Sequence, residues 1–154
     1  MKIKPTFNPI DLHNYLHSKV DEWTEILLTA CKEACIKTVA RAKQTNACQD
    51  QTGALRSSIG YVLYHNGVEI AHSFESTGGE KGEEGAQTGL AFARKKASEA
   101  GDKTIVAIVV AGMDYAIYME SKGRDVLTGS ARQFADELKK HLIEKECPFG
   151  FPTP

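Results

Sequence analysis

No stretch of the chain carries the eighteen to twenty consecutive apolar residues that a membrane-spanning helix needs. Nor is there an excess of charge of one sign. Nineteen basic residues face twenty acidic ones, a formal net charge of −1. The chain as a whole therefore has no nucleic-acid footprint, and only local basic runs at Arg94-Lys95-Lys96 and Lys139-Lys140 remain as candidates. The start, Met1-Lys2-Ile3-Lys4-Pro5, has charge but no apolar core behind it, so no signal peptide is expected and the protein is expected in the cytoplasm. Only five prolines occur, and all lie in the first nine or last seven residues, which leaves the interior free for long elements.

Markers of chemistry are equally sparse. The four cysteines (Cys31, Cys35, Cys48, Cys147) and five histidines lack the close spacings of a zinc site, and no metal or cofactor is expected. Cys31 and Cys35, four apart on a predicted helix, read as small packing residues with reduced thiols. His13 and His17 share a helix face, but Asn14 and Tyr15 stand where a zinc protease has glutamate. No Gly-x-Ser-x-Gly elbow is present. The glycine-rich run from Ser76 to Gly85 lacks a Gly-Lys-Ser/Thr ending and holds three glutamates that would repel a phosphate. Glu120 has no carboxylate at a fixed spacing for acid–base work. A small hydrolase or toxin using His72 and Glu120, with Tyr118, is the rival enzymatic reading.

What is present is periodicity. Leu12, Leu16, Val20, Trp23, Leu27, Ala30 and Ala34 recur at spacings of three and four. They predict one long amphipathic helix from Ile10 to about Lys43, capped by Asn8 or Asp11. So long a helix packs across a sheet, protrudes toward another subunit, or does both. Ile59, Tyr61 and Leu63 alternate with their neighbours, and Val68, Ile70, His72 and Phe74 run back after His65-Asn66-Gly67. That is a hairpin on an Asn-Gly turn. Glu75 to Gly89 is almost without large apolar residues, and residues 75–89 are expected to form a mobile loop. A helix over Leu90 to Ala100, a buried strand between Lys103 and Gly112, and a last helix from Leu127 to Lys145 follow. Thr128 or Ser130 is the expected cap of that last helix, and Phe134, Leu138, His141 and Leu142 mark one face of it.

These elements predict one α+β domain over residues 10–146. An extended lead-in over 1–9 precedes it and a proline-rich tail over 147–154 follows. A long N-terminal helix and a C-terminal helix are expected on a small antiparallel sheet of three or four strands.

Two short runs stand out. Thr52-Gly53-Ala54-Leu55-Arg56-Ser57-Ser58-Ile59 leads into the hairpin. Tyr115-Ala116-Ile117-Tyr118-Met119-Glu120-Ser121-Lys122-Gly123 follows the buried strand. On a short helix Tyr115 and Tyr118 share a face, with Glu120 turned away. In this order, with a helix at each end, the runs resemble the tail-completion or head–tail joining family of tailed bacteriophages over roughly residues 10 to 145. The chain departs from that pattern in its Ser121-Lys122-Gly123-Arg124 run, in the missing proline before the last helix, and in a longer stretch from Glu75 to Ala100. The resemblance implies a non-catalytic virion assembly protein that forms a homo-oligomeric ring with phage neck or tail proteins, in the host cytoplasm and then in the virion. It singles out Thr52, Gly53, Leu55, Arg56, Ser58, Tyr115, Ala116, Tyr118, Glu120 and Gly123 as an interface or structural signature. Tyr115 and Tyr118 read either as anchors packed on the hairpin or as rigid amphipathic area at an interface.

Overall fold

The computed structural model describes residues 8–45, 52–101 and 104–144. The element order is α1 (Pro9–Thr45), α2 (Ala54–Ser57), β1 (Ile59–His65), β2 (Val68–Ser73), α3 (Gly82–Ala100), β3 (Ile105–Ala111), α4 (Ala116–Ser121) and α5 (Thr128–Glu144). The fold is α+β, as the periodicities predict. The tail at 147–154 and most of the lead-in lie outside the described residues. Pro9 is the first residue of α1, where its missing N–H costs nothing, and the Asn8 side chain accepts from Ile10 N–H.

The sheet has three strands in the order β2-β1-β3, both pairings antiparallel. Asn66 (φ 50°) and Gly67 (φ 78°) take the left-handed conformations that an Asn-Gly hairpin turn requires. A bulge between Leu63 and Tyr64 shifts the register of β1 on β2. β1 is central and its first five residues are buried. Ile59, Tyr61 and Leu63 join one core with Cys31, Cys35 and Val39 of α1. Val62, between them, packs with Ala93 and Ala97 of α3 on the opposite side. The period-two alternation therefore feeds two cores, one on each face of the sheet.

The last helix lies antiparallel along α1 and adds Phe134 and Leu138 to the first core. Lys37 bonds to Glu137 at 3.0 Å and Arg41 to Gln133, which fixes the register of the two helices. Buried His141 completes the seam, with Nδ1 3.0 Å from Glu33 and Nε2 3.0 Å from Lys37 Nζ.

The second half of the stretch expected as a mobile loop is helix. Residues 82–89 are the first two turns of α3, and only residues 74–81 are irregular. Its small residues Gly82, Gly85, Ala86, Gly89, Ala93 and Ala97 recur every three or four positions and are buried. A Cβ at Gly85 would stand 2.2 Å from the Ala54 carbonyl oxygen, and one at Gly89 2.4 Å from that of Ser58. Each helical glycine costs about 1 kcal/mol in propensity. Here that cost is offset because bare backbone lets α3 lie against α2 and the start of β1. The periodicity was hidden because the buried face is made of glycine and alanine rather than large apolar side chains.

Candidate interaction surface

The two signature runs meet at one end of the sheet. β1 begins and β3 ends there, since Ile59 pairs with Ala111 in the antiparallel register. Gly112 N–H donates to the Ser58 carbonyl at 3.1 Å and ties the runs together. A Cβ at Gly112 would stand 2.4 Å from Gly89 Cα, so α3 closes over the same junction.

Most residues of the first run have a structural task. The Thr52 carbonyl accepts from Lys81 N–H at 2.9 Å. Gly53 starts α2 at φ 71°, with the Gly78 carbonyl so close that a Cβ would stand 1.8 Å from its oxygen. Leu55 is fully buried in the first core. Arg56 is half-buried beside it. Ser57 Oγ accepts from Thr77 N–H at 2.9 Å, and Ser58 Oγ donates to the Leu55 carbonyl at 2.8 Å.

The second run is a helix and its stop signal. Ala116 is buried beside Leu55 and Ile59. Gly123, at φ 75°, donates to the Glu120 carbonyl at 2.9 Å, and Arg124 N–H to that of Met119 at 3.2 Å. This paired arrangement is a Schellman stop, in which glycine supplies the left-handed residue. Glu120 then caps the next helix. Its Oε1 accepts from Leu127 N–H at 2.7 Å and Thr128 N–H at 2.9 Å, and its Oε2 from the Thr128 hydroxyl at 2.5 Å. Burial pushes the carboxyl pKa up, but the hydrogen bonds from Thr128 and the neighbouring backbone outweigh it and hold the group below the usual carboxylate value. The predicted caps Thr128 and Ser130 are thus replaced by groups from upstream: Glu120, and Asp125, whose Oδ1 accepts from Gly129 N–H. Spacing rules for helix starts look only at adjacent residues, so this carboxylate seven and eight residues away escaped them.

Tyr115 and Tyr118 are 41% and 60% exposed, and Ile117 between them is 81% exposed. The packing-anchor reading of Tyr118 therefore gives way to a surface one; its ring lies 5.3 Å from the Lys122 ammonium. A second apolar surface lies on α1. Its first fourteen residues, 9–22, stand clear of the body, and Leu12, Tyr15, Leu16 and Val20 are all 43–59% exposed there. This realises the protruding form of the long helix.

The residues of the enzymatic reading do not come together. His72 Nδ1 lies 2.8 Å from Glu69, which also accepts from Arg94 and from the Tyr64 hydroxyl. The Arg94 guanidinium holds the Glu69 carboxyl down at about 2, against the opposing effect of burial. His72 is a half-exposed residue of β2, and Glu120 is engaged in its helix cap. Of the basic run, Arg94 is tied to Glu69 and Lys96 to Glu99. His13 and His17 pack edge to face at 4.3 Å on the exposed arm. Among the described residues no group of three or more His, Cys, Asp or Glu is placed to hold a metal ion, and no helix is long and apolar enough to cross a membrane. No protein-family model, curated protein or solved structure matches this chain.

Proposed function

We propose that this chain is a virion assembly protein of a tailed bacteriophage or prophage. It completes the tail or joins head to tail, and it works by association rather than catalysis. The observation that carries the reading is the placing of large apolar side chains in solvent on two well-formed helices, Leu16 and Val20 on α1 and Ile117 and Tyr118 on α4. Large apolar side chains grouped on a helix face and left in water mark an interaction site. Aromatic side chains add rigid, amphipathic contact area to such sites. The signature residues support that surface from beneath: Gly53, Ser58 and Ala116 fix the sheet end, and Glu120 and Gly123 fix the α4–α5 corner.

In this reading the partners are phage neck or tail proteins and further copies of the chain. A ring built from identical copies needs two different complementary surfaces on each copy. Assembly takes place in the host cytoplasm and the product is carried in the virion. The test is light scattering coupled to size-exclusion chromatography, on the protein alone and with phage connector and tail-tube proteins. A closed oligomer or a stable complex is expected. A chain that stays monomeric and binds none of those proteins refutes the reading.

A further inference from the structure

We propose that the ten residues after Glu144 run on in the line of α5 and cover the apolar strip of the α1 arm, residues 9–22, on their own chain. They are Lys145 to Pro154 and lie outside the described residues. The strip on the arm is the seat of α5 continued. Eighteen residues make five whole turns of an α-helix, so positions eighteen apart share one line along it. Where α1 carries α5, Ala30 and Ala34 are buried, Glu33 meets His141 and Lys37 meets Glu137. Eighteen residues before these four stand Leu12, Leu16, Tyr15 and Lys19. The first three are large, apolar and exposed, and Lys19 is tied to Glu22 at 2.6 Å. The face of α1 that holds α5 therefore goes on past the end of that helix.

Register and reach select the occupant. Arg41 meets Gln133, Lys37 meets Glu137 and Glu33 meets His141, so each four residues down α1 are four up α5, and Glu144 ends about level with Ala30. Lengthening α5 cannot cover the arm, because Pro148, Pro152 and Pro154 break a helix and favour an extended, polyproline-like chain. Such a chain advances about 3.1 Å per residue, against about 1.5 Å for α1. At those rises Phe149 stands about 15 Å beyond Glu144, level with Val20, and Phe151 about 22 Å beyond it, level with Leu16. Thr153 then comes level with Leu12. A groove of about 190 Å³ opens beside the last turn of α5, at the start of this path, between His141 and Ile26, Thr29 and Ala30 of α1. A polyproline-like chain needs no backbone partners, so it can lie on a helix. Lys145 and Glu146 are the only charged side chains in the segment, so no charge has to be buried on the strip. Tethering favours this segment over a second copy, since a joined segment meets its seat at a roughly millimolar effective concentration. In the assembly reading this is an autoinhibitory contact: a partner that takes the arm first displaces the segment.

The test uses the full chain with a nitroxide attached through Thr153→Cys, in a background of Cys48→Ser and Cys147→Ser. Cys31 and Cys35 are buried and stay unlabelled. Paramagnetic broadening of the amide signals of residues 10–16 is expected, because Thr153 comes level with Leu12. It should persist on dilution. It should be absent when an isotope-labelled chain without the nitroxide is mixed with an unlabelled chain that carries it. Phe149→Ser and Phe151→Ser should each lower the ratio of covered to uncovered arm about tenfold, the worth of burying much of one phenylalanine. The pair together should remove the broadening and make Trp23, the only tryptophan, easier to quench with acrylamide. Leu16→Ser should release the segment from the other side; Leu16 is exposed, so circular dichroism should show wild-type folding. Sharp signals over residues 10–16 in the nitroxide chain overturn the contact, and so does broadening that survives both serine substitutions. Broadening in the mixed sample places the segment on a second copy and overturns the own-chain cover. Each of these failures leaves the assembly reading standing, since binding to phage neck and tail proteins decides that reading separately.

Discussion

Replacing Glu120 by alanine should destabilise the protein by about 2 kcal/mol, and the reason is legible in three hydrogen bonds. The carboxylate accepts from the N–H groups of Leu127 and Thr128 and from the Thr128 hydroxyl, at 2.5–2.9 Å. Hydrogen bonds to a charged group contribute about 1.5–3 kcal/mol when lost, and an ordinary helix cap about 1 kcal/mol. Thr128 is exposed, so water replaces part of what its N–H loses, while Leu127 N–H is half-buried and is not fully rehydrated. These opposing effects place the loss near 2 kcal/mol. For a chain of this length that lowers Tm by about 4–8 °C. Glu120→Gln keeps one acceptor but loses the charge facing the positive end of α5, and should cost about 1 kcal/mol. Urea denaturation followed by circular dichroism measures both.

The pH dependence supplies a second readout of the same group. Glu120 is held below the ordinary carboxylate value in the folded protein. A depressed carboxyl contributes stability above the unfolded-state pKa and loses it as pH falls through the folded value. The difference between wild type and Glu120→Gln should therefore be full at pH 6 and shrink below about pH 4.5. A Glu120→Ala protein within 0.5 kcal/mol of wild type at pH 7, or a difference that does not change with acid, would refute the capping role; surface substitutions ordinarily fall within about that margin.

Three further outcomes test the packing. Gly85→Ala should destabilise by about 2 kcal/mol although alanine is the better helix former, because its Cβ meets the Ala54 backbone; a stabilised variant in a melt would show that α3 does not lie so close. Amide hydrogen exchange over residues 86–93 should be slow and uniform, as a single helix requires, and free-chain rates over residues 86–89 would restore the mobile-loop expectation. Burial pushes the Cys31 thiol up and that of Cys35 up to about 12, so neither should react with a disulfide reagent at pH 8 until the protein is unfolded. Rapid labelling of Cys35 in the native protein, read by peptide mass, would contradict its place in the core.

The expectations that held rest on local or strongly periodic signals. Asn66-Gly67 defined the hairpin because few residues tolerate positive φ. The long α1 followed from apolar recurrence, and its protruding form was one of the two arrangements that its length allowed. The α3 start failed because glycine is read as a breaker unless its neighbours in space are known. The Glu120 cap failed for a related reason: its acceptor and donors belong to different helices, brought together by the Schellman turn at Gly123. Tyr118 was assigned two roles by its residue type alone, and only its exposure separates them.

The amino-acid sequence by itself determined the α+β class, the hairpin, the two terminal helices and the two runs that mark the sheet end. Each of these depends on backbone propensity and on spacing along one chain, which a string of residues records. The tertiary structure decided what those residues touch. It made a glycine-rich acidic stretch into a closely packed helix, turned Glu120 from a site candidate into a cap, and left the α1 arm and the α4 tyrosines in solvent. Close approach, capping at a distance and exposure are properties of pairs of segments far apart in the chain. They come into being only when the antiparallel pairing of β1 and β3 brings Ser58 to Gly112.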